Sequence, residues 1–519
     1  MALMIGNNGM ERTTRGGDPW LFAVILPTLI SLVLIAFDAR LLHWYMIPVT
    51  ICGMLVAPDV VDWAARRLDT FDPRALVGLF GFHFFYLAPI LHVMLDYWPR
   101  FLEPLTDWKA GLGAMATLNV LGLCVYRVVL NLRVPSTRSP RVARKLNDRV
   151  FVQLGWLAFA VGLAGFVAVI IHFGGLSGYV SAAADDRDSF IGYGWLLLIG
   201  ESFPLVGFVV AVVRFRVALT GRPATLSALF LVFAITQFAV GGLRGSRSNT
   251  IWPLLIGLIV VHLAVRPVTR RALAAMGISF LVFMYAYGVY KSAGSEILFA
   301  TKGTTSVTEL GDETGRTMPT MLLGDLGRSD IQAVLLHHER AGYAPLSYGV
   351  TYVGAAAFMI PDASRPEWMR DKVQAGTDML MGTGAFDSGW RSSRIYGLAG
   401  EALLNFGPAG SVASFAVLAA VVRTARRRYL GARLSRESGV AVMSGIAGVI
   451  VILALGSDLD NLLWYLVKTA LPLVTVVFFS RRTHHASPHD LARVPPHPAG
   501  PVRDELAGRH RRASVTSVA

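Results

Sequence analysis

What most constrains this chain is a series of about twelve apolar runs, beginning near Trp20, Leu41, Ala75, Lys109, Val150, Tyr193, Thr225, Thr250, Ala272, Tyr396, Gly439 and Leu462. Roughly 17 to 25 apolar residues are what a helix needs to cross a ~30 Å hydrocarbon layer, where backbone polar groups must be satisfied within the segment. The chain is 54% hydrophobic and 16% charged, against roughly 25% charged in soluble domains, so the apolar excess is assigned to membrane rather than to a soluble core. The expected fold class is an all-α polytopic membrane protein. Residues 1–290 carry spans one to nine, 291–395 a long extracytoplasmic loop, 396–480 spans ten to twelve, and 481–519 a basic tail.

The first run follows Arg12 and Arg15 as a secretory signal would, but no small-residue cleavage site comes after it and further runs do. It reads as a retained anchor. Cys52 and Cys124 both fall inside apolar runs, which leaves no disulfide framework and no cysteine-based metal site; packing is their expected role. A net charge of +14 raises nucleic acid as a partner, but its placement tells against that. Arg66, Arg67 and Arg74 follow span two; Arg133, Arg138, Arg141, Arg144, Lys145 and Arg149 follow span four; Arg214, Arg216 and Arg222 follow span six. Arg266, Arg270 and Arg271 follow span eight, and Arg423, Arg426, Arg427, Arg428, Arg433 and Arg436 follow span ten. Among the short loops, the odd exits hold only Arg40, Arg100 with Lys109, Arg187, and Arg244 with Arg247. By the positive-inside bias the even exits and both termini are cytoplasmic. The segment after Phe479, rich in Pro, Arg and His, has too few apolar residues to fold; its His484, His485, His489 and His497 read as solvated tail rather than as a metal site.

This orientation places the one long break in the apolar pattern, Lys291 to Arg394, outside. Loops beyond about 15 residues are usually functional or disordered, and this one carries folded patterns. In LGDLGRSDIQAVLLHHERAG, Ser329 and Gln332 fit a capping box ahead of Ile331, Val334 and Leu335 on one face, which predicts an amphipathic helix lying on the membrane. Val350 to Ile360 is apolar but too short to span, and reads as interfacial or re-entrant, ending at Pro361.

Two short segments carry the candidate chemistry. GGLRGSRSN, residues 241–249, forms the outer turn between spans seven and eight. Arg244 and Arg247, with Gly242, Gly245 and Ser246 leaving backbone N–H groups free, compose an anion nest suited to a phosphate gripped bidentately. The competing reading is a pair of arginines snorkelling to lipid headgroups. The second is SSRIYGLAGEALLNFGPAG, where the loop re-enters the membrane. If helical from Arg391 on, it sets Arg391, Arg394, Leu398, Glu401 and Asn405 along one stripe. Glu401 then lies in the outer half of the bilayer, where an ionisable group is a functional hypothesis by default, or a structural partner of an arginine. Asp186-Arg187-Asp188 and Asp458-Leu459-Asp460 match the loose D-x-D pattern of metal-dependent sugar transfer, but read as solvated loop. His83, His92, His172 and His262 have no i,i+4 partners, and without a P-loop or Rossmann fingerprint nucleotide-driven transport has no engine here.

At GGLRGSRSN, at DLGRSD with SYGVTYVGAAAFMIP, and at GEALLNFGPAG, the chain resembles the bacterial O-antigen and oligosaccharide repeat-unit polymerases, the Wzy-type family, over roughly Phe230 to Phe415. The resemblance implies a GT-C-like glycosyltransferase of the bacterial cytoplasmic (inner) membrane, using no cofactor and no metal. Polyprenyl-diphosphate-linked oligosaccharides would be donor and acceptor, and a chain-length regulator and a flippase its partners beside membrane lipid. Arg244, Arg247, Arg328 and Arg394 are then expected on the departing diphosphate. Glu401 is expected as base, with Asp330 as the alternative and Asp325 a lesser one; Tyr348, Tyr352, Arg391 and Asn405 are expected to contact substrate. The rivals are an O-antigen-ligase-like transferase and a polysaccharide or lipid-linked oligosaccharide transporter; the latter is disfavoured because no internal repeat is found and the ionisable residues gather at the outer edge.

Overall fold

A computed structural model describes residues 19–99, 102–132, 144–185, 187–190, 193–243, 247–293, 306–357, 360, 366, 368–369, 371–392, 394–435 and 437–483. The molecule is a helical polytopic membrane protein, with one short two-stranded ladder among the described residues. Eleven helices among the described residues are long and apolar enough to cross a membrane, and they coincide with the expected runs from the second onward. Spans two to five are Met46–Ala64, Pro73–Met94, Trp108–Asn131 and Asp148–His172; spans six to nine are Gly194–Thr220, Pro223–Gly242, Arg247–Ala264 and Arg270–Tyr290. Spans ten to twelve are Gly397–Ser435, Ser438–Gly456 and Leu459–Phe479. The first expected run forms Pro19–Phe37, a shorter apolar helix over Leu21–Phe37.

The alternating exits separate to two ends of the bundle. At one end the links after even spans meet: Asn147 N–H donates to the Ser480 carbonyl at 2.9 Å, Leu146 N–H to Glu437 at 2.9 Å, and Arg216 to the Ser438 hydroxyl at 2.8 Å. At the other end the odd exits meet, as where Arg40 donates to the Met94 carbonyl at 2.8 Å and Tyr290 to the Leu243 carbonyl at 3.2 Å. The expected tail begins later than its composition suggests, because Arg481–Thr483 pairs antiparallel with Arg144–Leu146. A backbone ladder needs no apolar side chains, so hydropathy does not reveal it.

The loop is folded into the bundle rather than laid on its surface. Its helix Ser329–Ala341 buries every residue from Ser329 to Leu336, and Ile331, Val334, Leu335 and Leu336 share one core with Leu123 of span four and with Leu403, Phe415 and Leu418 of span ten. Periodicity locates an apolar face without saying what covers it, and here protein covers it. The expected capping box does not form: Arg328 is the N-cap and makes no side-chain cap, while the Ser329 hydroxyl donates to the Phe84 carbonyl at 3.3 Å and Gln332 to the Tyr396 carbonyl at 2.7 Å. A box does close at Ser306 and Glu309, heading Val307–Glu313. The apolar stretch from Val350 makes a helix of about two turns, Val350–Ala356; Pro361, its expected end, lies outside the described residues.

Span ten is bent where the sequence reads Phe-Gly-Pro. Gly407 takes φ 66° and ψ −161°, a backbone conformation open to glycine at little cost, and Pro408 cannot supply the N–H that a continuous helix needs. The arm from Gly397 to Phe406 is thereby set at its own angle, and it carries Glu401 and Asn405.

Candidate functional site

Two buried charge clusters lie side by side at the odd-exit end. The first gathers side chains from three separate segments. Arg247, the first residue of span eight, donates to Asp325 at 2.7 Å, and Arg316 approaches the same carboxylate at 3.7 Å. Asp325 ends a π-helical turn, Thr320–Asp325, a geometry frequent at functional sites. Asp330, 3% exposed, lies in the field of Arg328 and Arg394. Burial lowers the pKa of both guanidiniums, and Asp330 and Asp325 oppose that shift in each. Tyr97 faces the same carboxylates and Arg394; its phenol is pushed up by burial. Arg328 is also bonded to backbone, donating to the carbonyls of Asp325 at 2.7 Å and Gly456 at 3.2 Å and to that of Gly327. It therefore fixes the loop on the end of span eleven while its charge faces both clusters.

The second cluster surrounds Glu401, 3% exposed. One of its carboxylate oxygens accepts from Leu459 N–H at 2.7 Å; the other is buried and accepts no hydrogen bond from the described residues. Beside it Asp458, fully buried, accepts from the N–H groups of Tyr396 and Gly397 at 2.9 and 2.7 Å. Those donors open the span-ten arm, where a carboxylate is favoured by the helix dipole. Gly397 makes this turn with φ 71°, which a side chain would strain. Lys372 closes the cluster, 2.9 Å from Asp458 and 3.2 Å from Asp460. Burial works to lower the lysine's pKa, but the two aspartates prevail and raise it. Removing one member of such a buried pair costs roughly 3 to 5 kcal/mol.

The expected site residues divide between these clusters. Arg247, Arg328, Arg394, Asp325 and Asp330 come together in the first. Glu401, Asn405 and Tyr352 come together at the second, and Tyr348 joins them only through its backbone N–H, which donates to the Asn405 carbonyl at 2.9 Å. Arg244, with Gly245 and Ser246 of the nest, lies outside the described residues, as do the side chains of Asp186, Arg187 and Asp188. The continuous stripe from Arg391 is not formed, because the helix begins at Gly397. Arg391 instead folds over its own turn, donating to the carbonyls of Phe386 and of Trp390, the latter at 2.7 Å, and stacking 3.5 Å from the Phe386 ring. It partners neither Glu401 nor Asn405.

Asn405 has no exposed surface. Its amide donates to the Thr351 hydroxyl at 2.7 Å and the Glu401 carbonyl at 2.8 Å, and accepts from Gly349 N–H at 3.0 Å. These bonds hold Val350–Ala356 on the span-ten arm and leave the asparagine a structural rather than a substrate-facing group. Tyr348 is 76% exposed; Tyr352, half-buried, lies against Phe406 and in the field of Glu401. Sequence reasoning passed over Lys372, Arg316 and Tyr97 and took Asp458 for solvated loop. An aspartate one residue outside a span, beside a loop otherwise poor in lysine, was the available signal for the Lys372–Asp458 pair; nothing in the sequence points to Tyr97.

Among the described residues no group of three or more His, Cys, Asp or Glu side chains is arranged to hold a metal ion. His262 is engaged by Asp69 at 3.2 Å, His83 by the Leu322 carbonyl at 3.1 Å, His92 by the Tyr97 carbonyl at 3.0 Å and His172 by Tyr193 at 3.1 Å. No protein-family model, no curated protein and no solved structure matches this chain.

Proposed function

We propose that this protein is a GT-C-like membrane glycosyltransferase that polymerises polyprenyl-diphosphate-linked oligosaccharide repeat units on the outer face of a bacterial cytoplasmic membrane. The observation that carries the reading is the convergence of Arg247, Arg328 and Arg394, drawn from three separated segments, around Asp325 and Asp330 at the end where the basic bias is weakest. Cations assembled at that cost suit a polyanionic group such as a diphosphate.

The chemistry follows from this arrangement. The acceptor hydroxyl gives its proton to a carboxylate and attacks the anomeric carbon of the donor chain. The bond from that carbon to the diphosphate oxygen breaks, and the electron pair leaves with the diphosphate. Guanidiniums already in place stabilise that charge without reorganising, an effect often worth several kcal/mol per donor. Glu401 is favoured over Asp330 as base. Asp330 stands among the arginines as their charge partner, whereas Glu401 keeps one oxygen unbonded and has no arginine partner among the described residues.

A deletion strain tests the reading. Surface polymer should disappear while single lipid-linked repeats persist, and the intact chain should restore polymer; retained polymer contradicts a polymerase, and long unattached chains indicate a ligase. Orientation is checked by reporters. Fusions after Arg144 and after Arg482 should be cytoplasmic, and one at Gly342, in the left-handed turn ending Ser329–Ala341, should be outside; a cytoplasmic signal there would overturn the placement of the site.

A further inference from the structure

Outside the two clusters, two spans are irregular where they face each other. Span six is interrupted between Gly194–Gly200 and Phe203–Thr220, and span twelve carries a π-helical turn at Leu466–Ala470. Glu201, in the interruption, pairs with Lys468, in the π turn. Irregular backbone and ionisable groups inside spans are expensive, and are tolerated where they line a cavity. One is present: a cavity of about 250 Å³ bounded by Phe190, Gly194, Leu197, Leu198, Asn249, Trp464 and Lys468.

The composition of its wall is specific. Among the described residues, four large apolar side chains and a glycine surround one ammonium and one amide. Glu201, 3% exposed, stands behind Lys468 rather than on the wall and holds the ammonium in place. Trp195, Leu196 and Ile199, next to the wall, are exposed, so the cavity is flanked by lipid-facing surface. Asn249 lies two residues after Arg247, which sets the cavity beside the first charge cluster.

We infer that this cavity is a second binding site, for a phosphate carried on a hydrocarbon chain, with Lys468 and Asn249 on the phosphate and Phe190, Leu197, Leu198 and Trp464 on the chain. A free phosphate would find two donors and an apolar wall, a poor exchange for its hydration; a chain-bearing phosphate gains from both. The site does not depend on the polymerase reading. Resting on that reading, it gives the second of two lipid-linked substrates a station of its own while the arginine cluster holds the first.

The test uses the full chain in phosphatidylcholine nanodiscs with farnesyl phosphate bearing a photoactivatable diazirine. Labelling is expected in peptides containing Phe190 to Leu198 and Trp464, and excess inorganic phosphate should not compete. A Cβ on Gly194 meets nothing within 4 Å, so Gly194→Leu should fill the cavity, cut labelling at least tenfold and leave the melting temperature unchanged. Glu201→Gln with Lys468→Gln removes both charges together and should reduce labelling by the phosphate probe to that of a farnesol probe. Equal labelling by farnesol in the unaltered chain overturns the phosphate contact, competition by inorganic phosphate overturns the lipid assignment, and unchanged labelling in Gly194→Leu overturns the site. Polymer formation is read separately, so labelling without polymer removes only the polymerase reading, and polymer without labelling removes only this site.

Discussion

Both ends of the bundle bury arginine–aspartate networks, and they are built differently. At the even-exit end Asp59 holds Arg74 at 2.6 Å and Arg127 at 2.9 Å, Asp69 meets His262, Tyr429 and Arg433 at 3.2, 2.8 and 3.2 Å, and Asp72 meets Arg426 at 3.1 Å. All of these partners sit on spans or on the short link between spans two and three. At the odd-exit end the long loop supplies Asp325, Arg328, Asp330, Lys372 and Arg394. One network ties neighbouring helices; the other brings distant chain to one place and leaves a carboxylate oxygen of Glu401 unbonded among the described residues. Residue type alone does not separate the two networks; where the partners come from does.

The largest expected effect tests the even end as architecture. Asp59→Ala takes the buried carboxylate from Arg127 and from the half-buried Arg74, and stability should fall by roughly 3 to 5 kcal/mol, with polymer lost only in proportion to folded protein. A stable but inactive variant would place function at that end. Glu401→Gln comes next: shape and most hydrogen bonding are kept but no proton is accepted, so turnover should drop ~10² or more with an unchanged melt. A lowered melt with proportionate loss makes Glu401 a strut, and normal behaviour in both assays moves the base to Asp330. The smallest effect belongs to Arg391→Ala. Its guanidinium serves only its own turn, so stability should stay within about 0.5 kcal/mol and polymer formation should persist; a large loss of activity would show that it reaches substrate.

The spans were legible because hydropathy is a local property, and each run from Met46 to Phe479 matches a helix of the required length. Arg247 could be singled out because two arginines in a glycine-rich turn at an odd exit run against the topological bias; Arg328 and Arg394 came as diphosphate contacts only with the resemblance, and Arg316 carries no local signal. What stayed hidden was pairing across sequence distance. Asp458 looked solvated because its partner Lys372 is 86 residues upstream, in the loop, and the Arg391–Glu401 stripe looked continuous because periodicity does not show that the helix starts at Gly397. Asn405 lay on the expected face, but what it faces is Thr351 and Gly349 of the same chain.

The central claim is that the arginine cluster at the odd-exit end works on substrate while the matching network at the other end holds helices together. The direct measurement is polymerisation of lipid-linked repeats by purified Arg247→Ala and Arg426→Ala, each with its melting temperature. Arg316 remains near Asp325 when Arg247 is removed, so Arg247→Ala should melt normally and lose activity by ~10² or more, with Arg247→Lys recovering only part because it lacks the bidentate fork. Arg426→Ala should melt lower and keep its activity per folded molecule. Full activity in Arg247→Ala at an unchanged melt would contradict the account.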